Sequence, residues 1–159
     1  MADRGDFVEL ERERLLVAVD ARAEEARQLA RWMSAHPELA LEEHEASARY
    51  RAWLGGLAFR VESPVAGMAT AFVATHGSEA APLRVALLAE MDALPELGHA
   101  CGHSLSGPAT LLAAAALAEV LPADLVRLHV VGCAAEEVGL AKRRQVEAGA
   151  FDDVDVAMM

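Results

Sequence analysis

Residues 98–104, "GHACGHS", carry two histidines, one cysteine and two glycines. A thiolate at Cys101 and an imidazole at His103 are ligands suited to zinc and its neighbours, and Gly102 between them lets the backbone turn tightly enough for both to reach one ion. One Cys-x-His pair falls short of a four-ligand signature, so a polar loop with a half-buried cysteine is the plainer reading. A second stretch, "CAAEEVG", places the adjacent acids Glu136 and Glu137 after an apolar run. Successive side chains at a strand end diverge, so the two acids can take different roles. Metal-assisted hydrolysis asks for that division, a cation to acidify water and a carboxylate to accept its proton. Both acids facing solvent at a helix N-terminus is the alternative.

Asp92, in "AEMDALP", stands where a carboxylate can accept the second N–H of a ligand histidine and fix its tautomer; a turn before Pro95 explains it about as well. Glu90 faces the same choice with less to recommend it. His99 borders the candidate ligands and is placed behind them as support. His36, before Pro37, reads as a helix-terminal cap, whereas His44, His76 and His129 have no partners in the sequence.

The elements that must position these residues follow from periodicity. Apolar Leu15, Leu16, Val19, Ala23, Ala26, Leu29, Ala30 and Met33 recur at threes and fours, predicting a helix over 7–35 that Pro37 ends. A second helix is expected over 41–54, with Glu42, Glu43 and Glu45 in its first turn and Arg49 and Arg51 later, the favourable sense for the helix dipole. "GLAFRVES" and "GMATAFVATHG" read as short strands with a hairpin near 63–67. "PLRVALLAEMD" and "LVRLHVVGCA" are continuous apolar runs, as expected of strands covered on both faces. Between them a helix over 106–121 has Ser106 as cap, Pro108 in its first turn and Pro122 beyond it. "LAKRRQVEAGA" reads as a helix ending at Gly149, and "VDVAMM" begins another strand. Strands alternating with helices predict an α/β/α sandwich around a mostly parallel mixed sheet. Chemistry in such sheets gathers at the carboxyl ends of strands, where both suspect loops lie.

Composition narrows the function. At 159 residues and 54% hydrophobic, the chain is one domain's worth, long enough to bury roughly 70% of its unfolded surface. A net charge of −11 and a pI near 4.9, with no basic stripe, argue against nucleic acid as partner. The charged opening "MADRGDFVELERERLL" lacks an apolar leader, and the most apolar stretch, "GPATLLAAAALAEVLP", is interrupted by Glu119, so neither export nor a membrane is expected. Cys101 and Cys133 are the two cysteines, read as reduced thiols of a cytoplasmic protein. Lys142 is the single lysine among 14 basic residues. No G-x-G-x-x-G follows a predicted strand and no G-x-S-x-G is present, which sets aside dinucleotide binding and serine hydrolysis.

Taken together, "HPELALEEHEAS", "VALLAEMDALPELGHACGHS", "VVGCAAEE" and "EAGAFDDVDVAMM" occur in the order and spacing of one family. The chain resembles the N-terminal part of the M20 metallopeptidases, in their aminoacylase-type amidohydrolase branch. The resemblance implies that Cys101, His103 and Glu137 are metal ligands and that Glu136 is the general base. It implies two divalent ions, zinc, manganese or cobalt, and N-acyl amino acids or dipeptides as substrates. Three positions depart from the family: Ser104, where Asp or Asn is usual; Ala134, where Pro is usual; and the glycine-rich turn, thinned by Val138 and Leu140. In the family the strand matching "VDVAMM" leads to a further ligand histidine and then to a lid domain. Residues 1–159 are therefore expected to form a truncated front half of the catalytic domain, without lid or dimerisation domain, binding metal weakly and turning over little. The alternative is a non-catalytic metal-binding or interaction protein that keeps this half of the fold.

Overall fold

The computed structural model describes residues 4–139 and 141–159, so that Leu140, one of the two residues thinning the glycine-rich turn, lies outside the described residues. Helix α1 spans Arg4–Ala35. Ala18, Ala26 and Met33 are buried on its inner face, whereas Leu16 is 52% exposed. The expected apolar stripe is correct apart from Leu16, which stands about 100° round the helix from Leu15. The helix ends as read: the His36 amide and ring Nδ1 both donate to the Trp32 carbonyl, at 3.0 and 2.8 Å.

Helix α2 covers His44–Gly56, starting later than expected because Leu41 takes a left-handed φ of 69°. The acids in its own first turn do not cap it. The Glu38 carboxylate does, accepting the Glu45 and Ala46 amides at 3.0 and 2.8 Å. Strand β1 is Arg60–Glu62, β2 Phe72–His76, β3 Leu83–Glu90, β4 Val126–Cys133 and β5 Val156–Met158, in the spatial order β1-β2-β4-β3-β5. Strand β2 is antiparallel to both its neighbours, while β4, β3 and β5 run parallel. Four strands thus share a direction and β2 opposes them, the mostly parallel mixed sheet expected.

Helices α1, α2 and α3 (His103–Val120) cover one face, over a core that includes Met33, Tyr50, Leu54, Phe72, Leu87, Leu111, Leu128 and Val130. The other face buries Ala86, Val131 and Cys133 against Phe151 and Val154. There the short helix α4, Ala141–Glu147, is pinned by Gln145, whose Nε2 donates to the Gly132 carbonyl at 3.0 Å. Gly132 pairs with Phe72 across β4 and β2, and a Cβ there would lie 2.2 Å from the Phe72 ring. Only glycine lets that ring lie on the strand. Among the described residues no helix is long and apolar enough to cross a membrane.

The register of β3 and β4 positions everything that follows. Glu90 pairs with Cys133, so the two central strands end flush and the chain leaves both at one edge of the sheet.

Candidate metal centre

The segment after β3 is folded back by a tight turn in which the Leu94 amide donates to Gly98 O and the Gly98 amide to Leu94 O, at 2.9 and 3.0 Å. It is braced from outside by Glu38, whose carbonyl accepts the Ala93 amide at 2.8 Å. Residues 99–102 then wind into α3. Gly102 has φ +97° and no neighbour within 4 Å of a hypothetical Cβ, so its need for glycine is conformational. Its carbonyl accepts the Leu105 and Ser106 amides, and α3 consequently starts at His103, three residues before the expected Ser106 cap. Pro108 therefore sits inside the helix and not in its first turn. His103 occupies the first turn of α3, directly beneath the end of β3.

The imidazole of His103 is buried, and its two nitrogens have separate surroundings. Nδ1 lies 2.9 Å from the Asp92 carbonyl, which can only accept, so Nδ1 carries the hydrogen. Asp92 Oδ1, at 3.3 Å from the same nitrogen, is a charge contact and has no hydrogen-bond partner among the described residues. Nε2 faces the acids: Glu90 Oε2 at 3.0 Å, Glu136 Oε2 at 3.8 Å and Glu137 Oε1 at 3.9 Å. Ligating atoms of Cys101, His103 and Glu137 lie within 4.8 Å of one another, and so do those of Glu90, His103 and Glu136. Cys101 is exposed and reaches inward, its Sγ 3.9 Å from the Asp92 carbonyl.

The second loop is held just as firmly. The Glu137 amide donates to Asp92 Oδ2 at 2.9 Å, tying the paired acids to the end of β3. The residue just before the pair, Ala135, adopts φ 51°, a left-handed conformation unusual for a side chain with a Cβ. Its amide donates to Oε1 of the wholly buried Glu43 at 2.6 Å, and Glu43 Oε2 accepts the Thr70 hydroxyl at 2.7 Å.

Charge follows from this packing. Burial opposes the imidazolium of His103, but the Asp92 side chain and carbonyl, with the charges of Glu90 and Asp92, raise it to about 9. Burial would raise Asp92; its contact with His103 and the amides of Glu137 and Glu136 outweigh burial and hold it below the ordinary carboxylate value. Burial, reinforced by Glu137, pushes the Cys101 thiol up. Four carboxylates (Glu90, Asp92, Glu136 and Glu137) thus meet two basic groups, His103 and Lys142, the latter ion-paired to Glu90 and Glu136. An excess of negative charge, a thiol, and an imidazole whose Nδ1 is already fixed form a donor set that fits a divalent ion.

No family model matches the chain. The mouse protein named Xaa-Arg dipeptidase is 39% identical over 169 aligned residues, covering 96% of this chain and 38% of its own length. One of the subunits of the p-aminobenzoyl-glutamate hydrolase of Escherichia coli is 35% identical over 144 residues, or 77% of this chain and 29% of its own. Among solved structures, the Bacillus subtilis YXEP protein, described as a dinuclear metal binding peptidase from the M20 family, shares the fold with a TM-score of 0.71, at 24% identity over 87% of this chain and 42% of its own. The chain has the fold of this M20 peptidase. It spans well under half the length of these relatives, 38% of the mouse protein and 29% of the bacterial one.

In this chain the structure brings Cys101, His103, Glu136 and Glu137 to one edge of the sheet, with Asp92 behind His103. It is the Asp92 carbonyl that accepts the Nδ1 hydrogen, while the carboxylate takes the Glu137 amide. His99 stands apart: its Nδ1 is buried without a hydrogen-bond partner among the described residues, and burial, with the nearby charge of His103, lowers its pKa. Glu90 comes closer to His103 than either paired acid does. Its signal was present in the sequence, since residues 90 and 92 at a strand end point to one face. Glu43 and Lys142 gave no such signal.

Proposed function

We propose that this chain carries the metal-binding front half of an amidohydrolase site acting on N-acyl amino acids or dipeptides. Cys101, His103 and Glu137 hold a divalent ion, zinc, manganese or cobalt, with Glu136 as general base. The observation that carries the reading is the approach of thiol, imidazole and carboxylate ligand atoms to within 4.8 Å of one another, with the second acid of the pair alongside. The names of the relatives, a dipeptidase and an aminobenzoyl-glutamate hydrolase, support an amide bond as the target.

A bound ion would polarise an amide carbonyl and acidify water. The chain's own residues do the rest. Asp92 keeps the Nδ1 hydrogen in place and so leaves Nε2 of His103 to act as ligand. Through the Glu137 amide it also fixes where the paired acids stand. Glu136, half-buried, accepts a proton from the attacking water and passes it to the departing amide nitrogen as the C–N bond breaks. A second site for an ion, the family's further histidine ligand and the lid belong to the same proposal, as does a reducing cytoplasmic setting, which the two free thiols support.

A non-catalytic, metal-binding role is the second reading, favoured by the ion pair that already engages Glu136 through Lys142, 3.2 Å away. The two separate by experiment. Elemental analysis of the purified chain should find zinc, and Cys101→Ala should lose it; unchanged stoichiometry sinks the ligand assignment. A panel of N-acyl amino acids and dipeptides should show metal-dependent turnover that Glu136→Gln abolishes with metal content intact. Full metal content without turnover would establish the second reading.

A further inference from the structure

Lys142 is the only lysine in a chain that uses arginine for every other basic side chain, and it stands in the candidate metal centre. Helix α4 carries it there, with Gln145 anchoring that helix to the Gly132 carbonyl. The ammonium is ion-paired with Glu90 Oε1 and lies 3.2 Å from Glu136 Oε1, with Met159 Sδ as a third contact at 3.1 Å. The other oxygens of the same two carboxylates face His103 Nε2, at 3.0 and 3.8 Å. Glu90, His103 and Glu136 are therefore a second donor trio beside Cys101, His103 and Glu137, but one to which the chain already supplies a cation.

We propose that Lys142 is an internal competitor for divalent cations. Its ammonium occupies the Glu90–Glu136 pair and so directs the ion to Cys101, His103 and Glu137. In that arrangement Glu136 gives one oxygen to Lys142 and keeps the other free to accept a proton. A cation entering the second trio meets the ammonium's charge at a few ångströms, where repulsion is far above thermal energy, so Lys142 must withdraw first. Lysine is suited to such withdrawal because its charge is compact, strongly hydrated and carried on a flexible stem, whereas a guanidinium is a planar fork. The inference rests on the metal-centre reading given above.

The test is zinc binding by the whole chain, measured by calorimetry and elemental analysis, for wild type, Lys142→Met and Lys142→Gln, with circular dichroism to verify the fold. Removing the ammonium should tighten zinc by about tenfold or more at unchanged stoichiometry, because both trios share His103 Nε2. The gain should vanish in Lys142→Met/Glu90→Gln, which lacks one carboxylate of the trio, and Lys142→Arg should keep the wild-type affinity. Equal stoichiometry and affinity in wild type and both neutral variants overturns the competitor role and leaves the metal centre standing. A gain that survives Glu90→Gln also overturns it, because the added affinity then comes from another site. Absence of zinc from wild type and neutral variants alike overturns both readings.

Discussion

Glu43 is a wholly buried carboxylate, and replacing it tests whether the paired acids are aimed from behind. Its Oε1 accepts the Ala135 amide at 2.6 Å and its Oε2 the Thr70 hydroxyl at 2.7 Å; the Thr70 carbonyl in turn accepts the Ser47 hydroxyl at 2.7 Å. Hydrogen bonds to a charged group each contribute about 1.5–3 kcal/mol net. Glu43→Ala removes both and strands the Ala135 amide in the interior, so it should cost about 3–5 kcal/mol, a large part of the ~5–15 kcal/mol that holds an ordinary domain together. Glu43→Gln keeps the shape. Its amide oxygen can still accept from Ala135, and the rotatable Thr70 hydroxyl can accept from its nitrogen, so about 1–2 kcal/mol is expected. Urea unfolding followed by circular dichroism reads both values. Zinc titration of Glu43→Gln, still folded, reads the consequence for the site: a loosened 134–137 segment should weaken zinc by roughly tenfold or more, the scale seen when groups supporting metal ligands are changed. A Glu43→Ala variant within about 1 kcal/mol of wild type would refute the tether. A destabilised Glu43→Gln with unchanged zinc affinity would refute its connection to the acids.

Two further outcomes follow from the same geometry. Because His103 is raised to about 9 in the folded, metal-free chain from an ordinary value of 6.5, its contribution is fully present below pH 6.5 and disappears as pH rises through 9. Urea midpoints should fall over that window by an amount worth up to about 3 kcal/mol, and His103→Asn should flatten the decline; a wild-type midpoint that rises between pH 6.5 and 9 would show the sign to be wrong. Gly132→Ala drives a Cβ to 2.2 Å from the Phe72 ring, and overpacking of this kind should cost about 1–3 kcal/mol by thermal melting, with Phe72→Leu restoring part of the loss in the double variant; additive losses would show that the ring is not the obstacle.

What the sequence disclosed and what it withheld divide along physical lines. Burial is periodic, so the apolar runs of β3 and β4 and the stripe of α1 were legible, and their parallel pairing put both polar loops at one edge of the sheet. Chemical type was legible too: a thiol, an imidazole and two adjacent acids announce themselves by identity. Partnership was not. The Ala135 amide and the Glu43 carboxylate that holds it are 92 residues apart, and Glu137 and Asp92 are 45 apart. No period links them, and each acid taken alone reads as a helix-dipole charge or a turn residue. The start of α3 failed for a related reason. Ser106 has the side chain of a cap, but the φ of Gly102 lets the helix begin earlier, and a left-handed glycine before a histidine leaves no apolar signature.

The same division explains why Lys142 was visible as a count and invisible as a function. Its uniqueness stands in the composition, yet composition places no charge in space. Seated between Glu90 and Glu136, it makes the site's electrostatics asymmetric: the side toward α4 holds the ammonium, whereas the side toward Cys101 and Glu137 faces only the His103 imidazole. Three carboxylates crowded round His103 Nε2 would otherwise repel one another and splay apart in the metal-free chain. By binding two of them, the ammonium keeps the strand ends together, so the donors stand close to their ligating positions before any ion arrives. Neutralising Lys142 should therefore lower the stability of the metal-free chain while it opens the Glu90–Glu136 side to zinc, and urea unfolding of Lys142→Met without metal is the measurement that checks the first effect.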